Sequence, residues 1–295
     1  MAGLQLNQLN ELIDAVKNED IFAIEVDGEL KKVQASLLAP SIVKLFAENG
    51  GAGLHNSIYR GKNLGSEFTD DQKAQIKAGT FNDLWIGDYW VIGGVTWRIA
   101  DFNYWLHHGD ASCETHHAVI VPDGNLYNAQ MHNTSSGNYE AGVANTTEGG
   151  IIGSDMYKTN LANAKATIKA AFGESHILIH REYLVNTVSG GHATNGSWYD
   201  SDVELMNECM VYGSHIFEPG TTIGTSDSTI PANYTIDTSQ LALFRLDHSE
   251  ICNRADWWLR DVVSAAYFAD VGSSGNAHCY NASDSFGVRP AFGIC

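Results

Sequence analysis

Residues 257–292 read WWLRDVVSAAYFADVGSSGNAHCYNASDSFGVRPAF, and the fold turns on how this stretch is taken. Trp257, Trp258 and Leu259 bring more apolar area than a surface loop tolerates, and Val288, Pro290, Ala291 and Phe292 close the segment with a second core patch. Between these blocks Tyr267, Phe268, His278, Tyr280, Asn281 and Phe286 are spread among Ser, Ala, Asn, Asp and Gly. Aromatics set among small, adaptable polar residues are the makeup of antibody-like paratopes, where tyrosine gives contact area at low entropic cost. The plainer alternative is a strand pair joined by an ordinary long loop. The composition favours a recognition surface held in a rigid frame.

Upstream of the frame, DYWVIGGVTWRIADF (residues 88–102) predicts two strands around Gly93-Gly94, and HHAVIVPDG (116–124) a buried strand ended by Pro122. NLANAKATIKAAFG has the alanine content and glycine stop of a helix, and YDSDVELMNECMVYG predicts a second, capped by Asp200 or Ser201. Stretches 124–153 and 186–200, rich in Asn, Thr, Ser and Gly, read as irregular. The sum is an α+β fold, two helices packed on short strands, with loops carrying the working surface.

The N-terminal part reads differently. Leu6, Leu9, Ile13 and Val16 lay one apolar stripe along a short helix over residues 4–17. Alternation on both sides of Asp27-Gly28 predicts a hairpin with a two-residue turn. Residues 1–48 are thus expected to form an attachment or oligomerisation module, or simply the first part of the core. Residues 49–80 would be a linker and a helix over 70–78, started by Thr69 and stopped by Gly79. Residues 81–295 would be the main domain.

A formal charge of −18 repels phosphate backbones and anionic headgroups, and no Lys/Arg cluster offsets it, so neither nucleic acid nor a membrane is an expected partner. The N-terminal stretch lacks the pattern of a signal peptide, and no apolar run approaches the ~18 residues of a membrane span. Cys113, Cys209, Cys252, Cys279 and Cys295 form no CxxC pair, which fits free thiols made in a reducing cytoplasm. His107, His108, Cys113, His116 and His117 crowd into one short stretch. Adjacent histidines on a strand face opposite ways, so the set reads first as structural histidines, then as a metal site or a catalytic Cys-His pair. No nucleophile elbow, phosphate-cradling loop or His-Glu metal motif is present, and no cofactor is expected.

The terminal stretch, taken as WWLR, then F-x-x-V-x-x-x-G, then GVRPxF, resembles the variable region of proteins diversified by diversity-generating retroelements. Those proteins have a C-type lectin-like fold, of the kind found in the phage major tropism determinant and in formylglycine-generating enzymes. In such systems template adenines are mutated, and the resulting codon set excludes Lys, Glu, Gln, Met and Trp; none of the five occurs after Trp258. HNSIYRGKNLGSEFTDDQKAQIKAGTFNDLWIGDYW and THHAVIVPD are similar to recurring segments of tail-associated proteins of phages infecting gut Firmicutes.

The resemblance implies diversified, ligand-binding positions at Val263, Ala266, Tyr267, Asp270, Ser273, His278, Tyr280, Asn281, Asp284 and Phe286. It implies an invariant scaffold of Trp257, Trp258, Leu259, Arg260, Gly287, Val288, Arg289 and Pro290. The implied protein is a homotrimeric receptor-binding component of a virion tail, made in the bacterial host cytoplasm. Its partners would be other tail proteins and a protein or glycan on a bacterial surface. The cysteine pair of formylglycine-generating enzymes has no counterpart, since Cys279 lies among variable positions and Cys252 outside the loop. The Glu-Pro-Asn-like and Trp-Asn-Asp-like calcium signatures are absent too. Competing expectations are an enzyme of the cell envelope using the His107–His117 group, and a purely structural virion protein.

Overall fold

The computed structural model describes residues 51–132, 145–217 and 239–295, and the backbone of strands β1 (Ile21–Val26) and β2 (Glu29–Gln34). The helix expected over 4–17 lies outside the described residues. Strands β1 and β2 pair antiparallel from Ile21↔Gln34 to Val26↔Glu29, a register that leaves Asp27 and Gly28 as the two connecting residues.

The remaining architecture is mixed α+β and centres on two sheets. One contains β3 (Asn63–Gly65), β4 (Tyr89–Ile92), β5 (Val95–Phe102), β6 (Ala118–Pro122), β10 (Val203–Leu205) and β15 (Pro290–Ile294), in the order β10-β15-β6-β5-β4-β3. Gly93 and Gly94 turn β4 into β5 with φ of 63° and 80°, the double positive φ that a type I′ hairpin requires. Strand β6 is buried along its whole length, as its unbroken apolar run predicts.

The second sheet contains β7 (Tyr127–Gln130), β11 (Trp257–Val262), β12 (Tyr267–Val271), β13 (Ala277–Asn281) and β14 (Ser285–Val288), in the order β13-β12-β11-β14-β7. A separate hairpin pairs β8 (His180–Ser189) with β9 (His192–Ser201).

Helix α1 (Asp70–Ala78) starts at a capping box, Thr69 accepting from the Gln72 N–H while the Gln72 side chain accepts from the Thr69 N–H, and stops at Gly79 in the left-handed region. A one-turn helix α2 (Gly150–Gly153) precedes α3 (Leu161–Phe172). The latter buries Leu161, Ala164, Ile168 and Phe172, one stripe at helical spacing. Two short helices follow, α4 (Glu208–Tyr212) and α5 (Ala242–Leu246).

Three sequence expectations are corrected here. Residues 186–200 are not irregular but the larger part of the β8-β9 hairpin, turned by Gly190-Gly191. Their alternation is hard to recognise because both faces carry Ser, Thr and Asn. The second helix is shorter than expected: residues 199–201 and 203–205 are strand, and α4 begins after Asn207, whose side chain accepts from the Met210 N–H. Residues 51–80 do not stand apart as a linker, since β3 joins the six-stranded sheet and Ile76 of α1 lies in the same core as Trp97 and Phe292.

Apolar packing divides into two clusters on opposite sides of the five-stranded sheet. Trp257, Leu259, Ala269 and Val271 point into the larger one, shared with the six-stranded sheet and α3. Trp258, Val262, Phe268 and Val288 point into the smaller, with Met131, Leu161 and Leu184. The period-2 alternation of strands thus sends the two neighbouring tryptophans into different cores.

Candidate ligand-binding site

The middle of the terminal stretch is not an ordinary long loop joining a strand pair. Two short antiparallel strands, β12 and β13, fill it, and β13 forms the outer edge of the sheet. Gly272 N–H donates to Asn276 O and Ala282 N–H to Ala266 O, which makes 268:280 and 270:278 the hydrogen-bonded pairs between them. His278 therefore stands beside Asp270, and Tyr280 beside Phe268, on the Trp258 face.

Cover thins toward the edge. Phe268 is fully buried while Tyr280 is 41% exposed, and Asp270 is 1% exposed while its partner His278 has 46% of its side chain in solvent. Ring contacts link the row: His278 to Tyr280 at 5.5 Å, Tyr280 edge-on to Phe286 at 5.0 Å, and Phe286 to Trp258 at 4.9 Å. Such pairs add about 0.5–1.5 kcal/mol each beyond burial when enclosed. Here they hold exposed rings in a fixed arrangement.

The ten positions expected to contact ligand do not form one patch. His278, Tyr280 and Phe286 make the aromatic row just described. Val263, Ala266, Tyr267, Asn281 and Asp284 gather at one end of the β12-β13 pair, where Asn281 donates to Asp284 and Asn145 bonds to both Asn281 and the Ser283 N–H. Thr147 fastens the same end through Ser264 O and Ala265 O. Ser273 sits at the opposite end, its N–H donating to Asp256 and its carbonyl facing Cys252 Sγ.

Asp270 departs from the expected outward orientation. Its side chain lies between Trp258 and His278 and is buried, because residue 270 shares the parity of Phe268. Burial pushes its carboxyl up to about 6, against the pull of His278.

All eight frame residues are buried, and two carry charge. Arg260 donates Nη2 to Glu182 Oε1 and holds Nη1 2.8 Å from Glu204 Oε2. The second oxygen of each carboxylate lies 3.5 Å from His180 Nε2. His180 stacks on Trp105 at 4.0 Å, and His117 lies on Trp105 at 5.6 Å. Burial pulls the His180 imidazolium toward neutrality, but the contacts with Glu182 and Glu204 outweigh it and raise it to about 9. The quartet then balances two carboxylates with two cations.

Among the described residues, no carboxylate pairs with Arg289. Its guanidinium donates to the Pro122 and Glu250 carbonyls and packs against the Trp257 and Phe244 rings at 5.0 and 5.5 Å. Burial lowers it to about 10, so it remains charged at neutral pH.

Gly287 is explained by close approach. A Cβ there would overlap the Asn125 amide, which donates to Asp256 O and accepts from Asn253. Gly287→Ala is expected to destabilise the fold by about 1–3 kcal/mol, measured by urea unfolding. An unchanged midpoint would show that Asn125 can move aside freely.

The histidine-rich stretch does not converge. His117 uses both ring nitrogens, Nε2 accepting from the Trp105 N–H and Nδ1 bonding Thr115 O, and burial drives it down to about 3. His116 bonds Asn103, and exposed His107 faces Glu114. His108 is lowered by burial. Cys113 and Cys279 have their thiols raised by burial, which disfavours the thiolate a nucleophile needs.

Among the described residues the metal-competent groupings lie elsewhere, at His180, Glu182, Glu204 and at Glu208, His215, Asp261. In the second, burial and the neighbouring Asp261 push Glu208 up to about 7. Sequence reasoning passed over His180 and Glu182, although their i, i+2 spacing on a strand puts both on one face. Recognising it required reading residues 180–201 as a hairpin.

No protein-family model, curated protein or solved structure matches the chain. The site is therefore defined by its own geometry: a buried, charge-locked frame carrying an edge strand with exposed aromatics.

Proposed function

We propose that this protein is a ligand-binding component of a phage tail, with a C-type lectin-like domain whose exposed β12-β13 residues are diversified to engage a bacterial surface. The observation that carries the reading is the burial contrast within one short segment. The WWLR and GVRP residues are enclosed, whereas Tyr267 and Tyr280 are 40% and 41% exposed. Exposed side chains contribute little to stability, so they can change while the frame keeps the fold. Several copies on one particle, a homotrimer by resemblance, would raise weak single-site binding through effective concentration.

Tyr267→Ala and Tyr280→Ala together are expected to shift stability by no more than about 1 kcal/mol. Adsorption of particles carrying the variant to host cells should fall at least roughly tenfold, the factor that ~1.4 kcal/mol of lost contact corresponds to. Unchanged adsorption after replacement of the whole exposed set would favour a purely structural tail role. Diversification itself is tested in the neighbouring DNA. A near-copy of the 3′ end differing only at adenines, beside a reverse transcriptase, is the expected result, and its absence would remove that part of the proposal. The enzyme alternative has less support, because His117 is fully engaged and Cys113 is held as a thiol.

A further inference from the structure

We propose that His278, Tyr280, Phe286, Trp258 and Asp270 together form a site for a basic group, the guanidinium or ammonium of an Arg or Lys side chain on a protein ligand. The proposal rests on taking this face as a binding surface and names the chemistry it selects. The five side chains close a circuit. Ring contacts run from His278 through Tyr280 and Phe286 to Trp258. Strand pairing completes it, since Asp270 lies opposite Trp258 on one side and His278 on the other.

One member of this circuit, between Trp258 and His278, is a carboxylate. Asp270 Oδ1 lies 3.3 Å from His278 Nδ1, while Oδ2 is buried without a hydrogen-bond partner. An unsatisfied buried carboxylate oxygen is costly, and a charged donor is what relieves it. Aromatic faces around such a point attract cations as well, through their quadrupoles. Asp256 adds further negative potential at Asp270, and the chain's net charge of −18 favours approach of a cation over an anion. A neutral sugar would need donors and acceptors in alternation, whereas this circuit offers an acceptor flanked by rings. His278, half exposed, is the cover, and rotamer changes of exposed side chains are fast. Turning it outward brings the carboxylate within reach.

The test is an NMR titration of the full chain with N-acetylarginine amide, N-acetyllysine amide and the neutral isostere N-acetylcitrulline amide. Reporters are the Trp258 indole N–H, which donates to Ala129 O, and the His278 ring. Saturable shifts with the two cations, at least roughly tenfold weaker binding of citrulline, and a similar loss in Asp270→Asn are expected. Tyr280→Leu, which keeps apolar bulk but removes the π face, should weaken the cations and leave citrulline unaffected. Equal binding of citrulline, no saturable shift with either cation, or full cation affinity in Asp270→Asn overturns the site. Host-cell adsorption separates this failure from failure of the receptor reading. Loss in Tyr280→Ala but not in Asp270→Asn leaves receptor binding standing and removes the cation site. Cation binding with adsorption insensitive to every substitution does the reverse.

Discussion

Arg260→Ala is expected to cost about 3–5 kcal/mol of folding free energy, the range seen when one partner of a buried ion pair is removed. Glu182 and Glu204 would stay enclosed, with His180 as the remaining counter-charge in the quartet. The measurement is the urea midpoint at fixed m-value. Arg260→Lys should recover only part of the loss, because an ammonium cannot span two carboxylates as the planar fork does. Replacing Arg260, Glu182 and Glu204 together by Met, Leu and Leu should restore much of the stability, since apolar packing often equals a buried ion cluster. A single-variant loss under about 1 kcal/mol would mean that the quartet does not anchor β11 to β8 and β10.

The same quartet makes stability depend on pH in a defined direction. His180 rises from an ordinary value of 6.5 to about 9 in the fold, so the folded state binds its proton more tightly than the unfolded chain does. Its contribution is fully present below pH 6.5 and is lost as pH climbs through about 9. A shift of this size corresponds to something on the order of 3 kcal/mol. Unfolding free energies of wild type and His180→Gln, measured across that window, should converge as pH rises. A constant difference between the two curves would show that His180 is neutral in the fold throughout.

How much of this was legible in the sequence depended on where each signal lies. Gly93-Gly94, Thr69 with Gly79, and the apolar run of β6 follow from local backbone chemistry, and each could be placed from its own residues. The WWLR and GVRP blocks were recognisable as core because tryptophan and phenylalanine are costly to expose. The arginines inside them gave no hint of their partners, since Glu182 and Glu204 lie 78 and 56 positions before Arg260 and meet it only through sheet pairing. The β8-β9 hairpin was missed because Ser, Thr and Asn on both of its faces mask the alternation. Asp270 was placed among the ligand-contacting positions by resemblance alone, while strand parity, which sets it with Phe268, could be assigned only once β12 was known to be a strand.

The six-stranded sheet takes one of its interior strands from beyond the exposed β12-β13 segment. Strand β15 lies between β10 and β6, in the interior of that sheet and not at its margin. It follows the exposed segment in the chain, so the β10-β15-β6 ladder cannot close until every residue of that segment has been translated in frame. A premature stop or a shifted reading frame within residues 263–286 would leave β6 and β10 without their shared neighbour and expose two cores at once. Such chains would expose apolar surface and be open to proteolysis, so the exposed β12-β13 residues and the strand that completes the core are produced together or not at all.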